Sequence, residues 1–287
     1  MTRHFLVILI TLGVAGCRSA GPRVQICPEH AKKLNLALTG PVAADGADGL
    51  YLATAKTLMR YDRRGDRIEN VLNDPCPTIR DIAVTPDGVV LVLRPRELSA
   101  YMAGYLVTLY PLPGEARALS CDREFAYVLT TRGEGTRLLR IRLAGETKGA
   151  MQPILTTEGR PQDLCAVRGG CLVVSGGNIF KVTDPVAGKD KDQSQVAIVL
   201  LVAMQEPIIS VAADQGRRIV YFATKDMSYA WIEGQIVPVF PAGSRLAWAG
   251  DTLTICRPAL SDGQLIQIPG VSRHTRTLLE ELTQNTH

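Results

Sequence analysis

Two aspartates occupy the same place in two copies of a short sequence pattern. Asp81 precedes Ile82-Ala83-Val84, and Asp163 precedes Leu164-Cys165-Ala166-Val167. Two carboxyl groups brought together offer oxygen ligands to a cation, or can divide acid and base roles between them. An aspartate at the start of a strand also has a plainer use, accepting backbone amides that no ladder pairs. The matching positions elsewhere read as Ser210 or apolar residues. Histidine is informative by position: His4, His30, His274 and His287 all lie outside the patterned region. A Ser-His-Asp or Cys-His set inside that region is therefore unavailable, and so is a His-ligated metal. No phosphate-binding glycine loop, G-x-S-x-G or H-E-x-x-H occurs. These absences favour non-catalytic binding with no cofactor and no resident metal. Asp81 and Asp163 remain the catalytic pair of an alternative reading.

Seven cysteines stand at 17, 27, 76, 121, 165, 171 and 256. Cys17 differs from the rest by its context. A basic start, Met1-Thr2-Arg3-His4, is followed by the apolar run Phe5 to Val14. Ten residues are too few to cross a bilayer as a helix but suit the core of an export signal. Val14-Ala15-Gly16-Cys17 then resembles the bacterial lipobox. That resemblance implies cleavage after residue 16, a diacylglyceryl thioether on Cys17, and a further acyl chain such as palmitate. Two or three chains anchor stably where one does not. Residues 17–32, with Gly21, Pro22 and Pro28, read as a lipidated tether. The resemblance also implies a sorting rule, in which aspartate after the lipidated cysteine retains a lipoprotein at the inner membrane; Arg18 is not that aspartate. In a diderm host the expected place is thus the outer membrane, facing the periplasm, beside an envelope protein partner. An ordinary secreted protein with Cys17 in a disulfide is the competing reading.

An exported chain permits disulfides. Cys165 and Cys171 flank the turn signal Arg168-Gly169-Gly170, which makes them candidates for a bridge across a hairpin. No C-x-x-C is present to suggest zinc or redox chemistry. The formal charge of +4 falls to +3 when Arg3 leaves with the signal, too little to imply a nucleic-acid partner. Arginines gather in two places, Arg60, Arg63, Arg64 and Arg67 in one and Arg132, Arg137, Arg140 and Arg142 in the other. Such groups suit lipid phosphates or an acidic partner, or serve only to keep strand edges from pairing.

The elements that must position these residues follow from an internal repeat. Residues 79–93 read as a strand, a Pro86-Asp87-Gly88 turn and a second strand. The pattern recurs with second strands starting near residues 50, 89, 125, 171, 219 and 252. A spacing of roughly 35 to 48 residues is that of four-stranded propeller blades. Third strands follow each copy, and fourth strands follow several. The first strands are rich in alanine and valine, as a crowded inner ring requires. The copies resemble the blades of NHL-related and TolB-type propellers, which implies an all-β, six-bladed β-propeller over residues 33–270. A β-sandwich with accidental spacing is the competing fold. Ring closure needs a strand from the other terminus, and residues 33–38 are expected to supply it.

Propeller lactonases of this general shape hold a metal with Glu, Asn and Asp from inner strands, and only the Asp element is visible here. The resemblance thus implies the alternative function, a metal-dependent lactonase-like hydrolase at the channel mouth. The tail, residues 271–287, is expected to form a helix capped by Ser272, with Leu278, Leu279 and Leu282 on one face.

Overall fold

The computed structural model describes residues 9–10, 32–35, 40–45, 49–54, 56–62, 67–75, 78–133, 135–183, 186–187, 194–240, 245–257 and 264–284. The lipobox, Cys17, Cys27, Cys76, Arg63 and Arg64 lie outside these residues. No helix among the described residues is long and apolar enough to cross a membrane.

Six four-stranded antiparallel sheets form the six blades of a β-propeller. From the first blade to the sixth, their innermost strands are Val42–Asp45, Asp81–Val84, Glu115–Cys121, Asp163–Val167, Ser210–Asp214 and Arg245–Ala249. Each inner strand contacts the next, and the sixth contacts the first. The second strands begin at Gly49, Val90, Phe125, Gly170, Ile219 and Thr252, within a residue of the places the repeat predicts. The sixth blade takes its outer strand from the opposite end of the chain. Lys32–Asn35 pairs antiparallel with Gln264–Pro269, as closure demanded. A two-residue strand, Leu9–Ile10, lies parallel to the outer strand Ile198–Ala203 of the fourth blade.

Why the ring holds is visible in its packing. The buried apolar side chains divide into six clusters, each between one blade and its neighbour. Leu91, Leu93 and Leu98 of the second blade, for example, meet Val128, Leu139 and Ile141 of the third. Both faces of every sheet are therefore apolar, and a single blade would leave them in water. Each such side chain contributes on the order of 1.5–3 kcal/mol on burial. The inner strands carry Ala43, Ala83, Ala118, Ala166, Ala212 and Ala247, all largely buried, because six strands converging on an axis leave no room for larger residues.

Two sequence expectations change. Cys165 pairs with Leu172 across the hairpin, and Ala166 pairs with Cys171. Adjacent residues of a strand point to opposite faces, so the two cysteines face different blade interfaces and no disulfide joins them. Gly170 shows why this register is fixed. Its φ is +148°, and a Cβ there would lie 2.0 Å from the Val182 carbonyl oxygen. The tail is a helix, Val271–Gln284, but Ser272 sits inside its first turn rather than capping it. Its hydroxyl instead donates to Asp214 Oδ2 at 2.7 Å and meets the Tyr221 hydroxyl at 2.9 Å. Leu279 packs on the core between the fifth and sixth blades; the side chains of Leu278 and Leu282 lie outside the described residues.

Candidate functional site

The first residues of the inner strands face a problem peculiar to propellers. The axial edge of an inner strand has no neighbouring strand, so its amides need other acceptors. Side chains from the preceding blade supply them. The Leu119 N–H of the third blade donates to Asp81 Oδ2 at 2.7 Å, and the Val211 N–H of the fifth blade donates to Asp163 Oδ2 at 3.0 Å. The Leu246 N–H of the sixth blade donates to Ser210 Oγ at 3.0 Å. Asp81 Oδ1 also accepts the Ile82 N–H at 2.9 Å. One oxygen of each aspartate thus has a structural explanation: it staples one blade to the next.

Arg245 has no such explanation. It is the first residue of the sixth inner strand, the position held by Asp81, Asp163 and Ser210 in theirs. A guanidinium has donors only and cannot accept the amide of a following blade. Its Nη1 lies 4.0 Å from Asp81 Oδ1, and its side chain keeps 38% exposure against 7% for Asp81. Asp81, Asp163 and Arg245 belong to the second, fourth and sixth blades, so three ionisable groups converge on the axis from alternate blades. Sequence reading placed only apolar residues or serine at the matching positions of other blades. Setting Arg245-Leu246-Ala247 against Asp81-Ile82-Ala83 in the repeat would have found it.

The three groups bound one end of a cavity of about 210 Å³ that runs along the axis. Ser120, Cys121, Cys165, Gln215 and Trp248 lie along its walls. Burial pushes the Asp81 carboxyl up to about 6; Arg245 works against this shift and the Asp163 charge adds to it. Asp163 is also raised by burial, against the pull of Arg245 and of hydrogen bonds from Ser210 and Val211. For Arg245, burial acts to lower the pKa, but the two aspartates outweigh it and the net shift is upward, so it stays a cation. Burial pushes the Cys121 and Cys165 thiols up to about 12, which keeps them protonated and poor nucleophiles.

The donor set does not fit a divalent metal. Among the described residues no three His, Cys, Asp or Glu side chains are grouped to hold an ion. Backbone amides reach both Asp81 oxygens and one of Asp163, which fixes the carboxyls in place without using all their lone pairs. A fixed positive charge stands beside Asp81 and is felt by both carboxyls.

Some members of each arginine group are held within their blade. Arg140 and Arg142 flank the Phe125 ring at 4.5 and 5.2 Å, and Arg140 donates to Gln152 Oε1 at 2.8 Å. Arg60 donates to Asp45 Oδ2 at 3.2 Å.

No protein-family model matches the sequence, and no curated protein resembles it in sequence. Solved structures do resemble it in fold. A gluconolactonase from Xanthomonas campestris matches with a TM-score of 0.64 at 13% identity, over 88% of this chain and 98% of that one. Regucalcin from Agrobacterium tumefaciens, a calcium-binding protein, matches with a TM-score of 0.59 at 12% identity, over 82% of this chain and 90% of that one. A chain of a mitotic checkpoint complex matches with a TM-score of 0.53 at 10% identity, over 89% and 99%. At these identities the likeness is one of fold.

Proposed function

We propose that the Asp81–Arg245 end of the axial cavity is a hydrolytic site for small lactones or related esters. The observation that carries this reading is Arg245, a cation open to the cavity beside a buried carboxyl whose pKa is pushed up to about 6. The equivalent positions of other blades place acceptors for the next blade's amide, a task a guanidinium cannot perform. The neighbouring gluconolactonase supports the choice of substrate class, since it is a propeller of the same fold. The cavity is smaller than the roughly 300 Å³ at which drug-sized pockets begin, which suits a metabolite-sized ring.

The chemistry assigns one role to each side chain. Ionised Asp81 takes a proton from water as the water oxygen attacks the lactone carbonyl. Arg245 donates hydrogen bonds to the oxygen that becomes negative. As the ring C–O bond breaks, Asp81 returns the proton to the leaving alkoxide. Asp163 holds the guanidinium electrostatically, and its bond to Ser210, which accepts the Leu246 N–H, ties it to the Arg245 backbone. The test is hydrolysis of a panel of five- and six-membered lactones, followed by acid release. Asp81→Asn and Arg245→Gln are each expected to lose on the order of 10²-fold or more. Wild-type rates no faster than the uncatalysed reaction would end this reading.

A second reading, a lipid-tethered binding propeller, rests on a different surface. The outer strand of the second blade, Tyr105–Pro111, carries no charge. Tyr105 and Val107 there, and Met102 at the end of the strand before it, are about half exposed. Affinity capture from solubilised envelope, with a strand variant such as Val107→Lys as control, tests it.

A further inference from the structure

We infer that Arg245 is a built-in replacement for a bound cation, and that it keeps a latent divalent-ion site at the channel mouth closed. The inference concerns the site proposed above but does not require that it hydrolyse anything.

The argument starts from charge. Asp81 and Asp163 are both almost fully buried and face the same end of the axis from blades two apart. Two carboxylates held together in a low dielectric are tolerated only with a compensating cation or a shared proton. Arg245 is the cation the chain provides. It enters from the third of the alternate blades, at the same strand position as the aspartates, so its approach to the axis is set by the fold rather than by a loop. Among the charges acting on either aspartate its own is the largest, second only to the effect of burial.

The same geometry says what removal of the guanidinium would create. The two carboxyls are stapled to backbone amides of the third and fifth blades and cannot swing away. Each carboxylate oxygen has more than one lone-pair site, so the amide bonds leave coordination capacity on Asp81 Oδ1 and on Asp163. The Ser210 hydroxyl, bonded to Asp163, adds a neutral oxygen. Hard divalent cations take oxygen ligands of this kind and accept water for the rest. With Arg245 present, such an ion would have to enter against a fixed positive charge. Without it, the two carboxyls must share a proton or take another cation, and the volume the guanidinium has left is open to one.

The experiment is calcium and manganese binding by calorimetry and by thermal melting. It uses wild type, Arg245→Gln, Arg245→Lys and the double variant Arg245→Gln/Asp163→Asn. Wild type and Arg245→Lys are expected to show no calcium-dependent melting shift. Arg245→Gln is expected to gain at least about tenfold in calcium affinity over wild type, as removal of a repelling charge at close range implies. The double variant should lose that gain. If Arg245→Gln is too unstable to purify, refolding with calcium against refolding with sodium gives the same readout, and only calcium should rescue it. Two results would overturn the inference: stoichiometric calcium binding by wild type that Asp81→Asn abolishes, or an Arg245→Gln protein that neither binds calcium nor is rescued by it. Lactone hydrolysis is not read in either arm, so failure of the enzymatic reading leaves this outcome legible.

Discussion

The Tyr221 hydroxyl lies 2.9 Å from the Ser272 hydroxyl, joining a strand of the fifth blade to the C-terminal helix. Ser272 in turn donates to Asp214 at the far end of the fifth inner strand. The Tyr221 ring stacks on Trp248 of the sixth blade, with centroids 5.3 Å apart and planes 10° apart. The helix is thereby fastened to the fifth blade at its interface with the sixth.

Removal of this fastening has a predicted cost. Ser272→Ala leaves the buried Asp214 carboxyl short of a donor and should cost about 1–3 kcal/mol, more than Tyr221→Phe, which removes a neutral hydroxyl at about 0.5–1.5 kcal/mol. Urea denaturation of the three proteins checks the order. Equal costs would show that the Asp214 bond carries no weight.

Asp81 makes stability depend on pH in an unusual direction. Its folded pKa, about 6, lies above the ordinary value of 3.8, so the native chain takes up a proton before the unfolded chain does. Stability from this group is gained as pH falls from about 6 to about 4 and is lost as pH rises through 6, a swing of about 3 kcal/mol. Other carboxylates titrate in the same window, so the quantity to measure is wild type minus Asp81→Asn. That difference should move toward wild type on acidification; a flat difference would refute the assigned shift.

The hairpin register predicts the state of two thiols. Non-reducing digestion and mass spectrometry should find no Cys165–Cys171 cross-link, even in protein purified under oxidising conditions. Gly170→Ala should destabilise by about 2 kcal/mol or more, because its Cβ would meet the Val182 carbonyl at 2.0 Å. A neutral substitution would mean the outer strands yield more easily than the packing suggests.

The expectation drawn from the lipobox has its own test. Cys17→Ser should yield a non-acylated product that leaves the membrane fraction while retaining the melting temperature of the ring. A variant that remains acylated and membrane-bound would remove the anchor assignment.

Much of the ring was legible in the chain because a propeller repeats its errors as well as its signals. Six weak strand–turn–strand copies in phase fixed the blade count and the need for a closing strand near residue 33. Asp81 and Asp163 were legible as equivalents for the same reason. Arg245 was not, because the sixth copy is weak and its first strand reads as starting at Leu246, one residue late. The cysteine pair failed for a different reason: turn length is visible in Arg168-Gly169-Gly170, but the pleat assigns faces one residue at a time, and a register shift of one exchanges them. The bonds of Ser272 to Asp214 and Tyr221 cross more than fifty residues, and nothing local encodes them.

The clasp formed by Lys32–Asn35 on Gln264–Pro269 sets the order in which this protein can come into being. Blades built from neighbouring residues can form as the chain emerges, since their contacts are local. The ring cannot shut until the last blade has been made and has found a strand that emerged first. Closing so long a loop is slow relative to hairpin formation. Until then the flank of the first blade that packs against the sixth, with Leu50, Leu52 and Tyr61, faces water. A newly made chain of this design therefore spends its most vulnerable interval as an open arc, with an apolar flank exposed until its two ends meet.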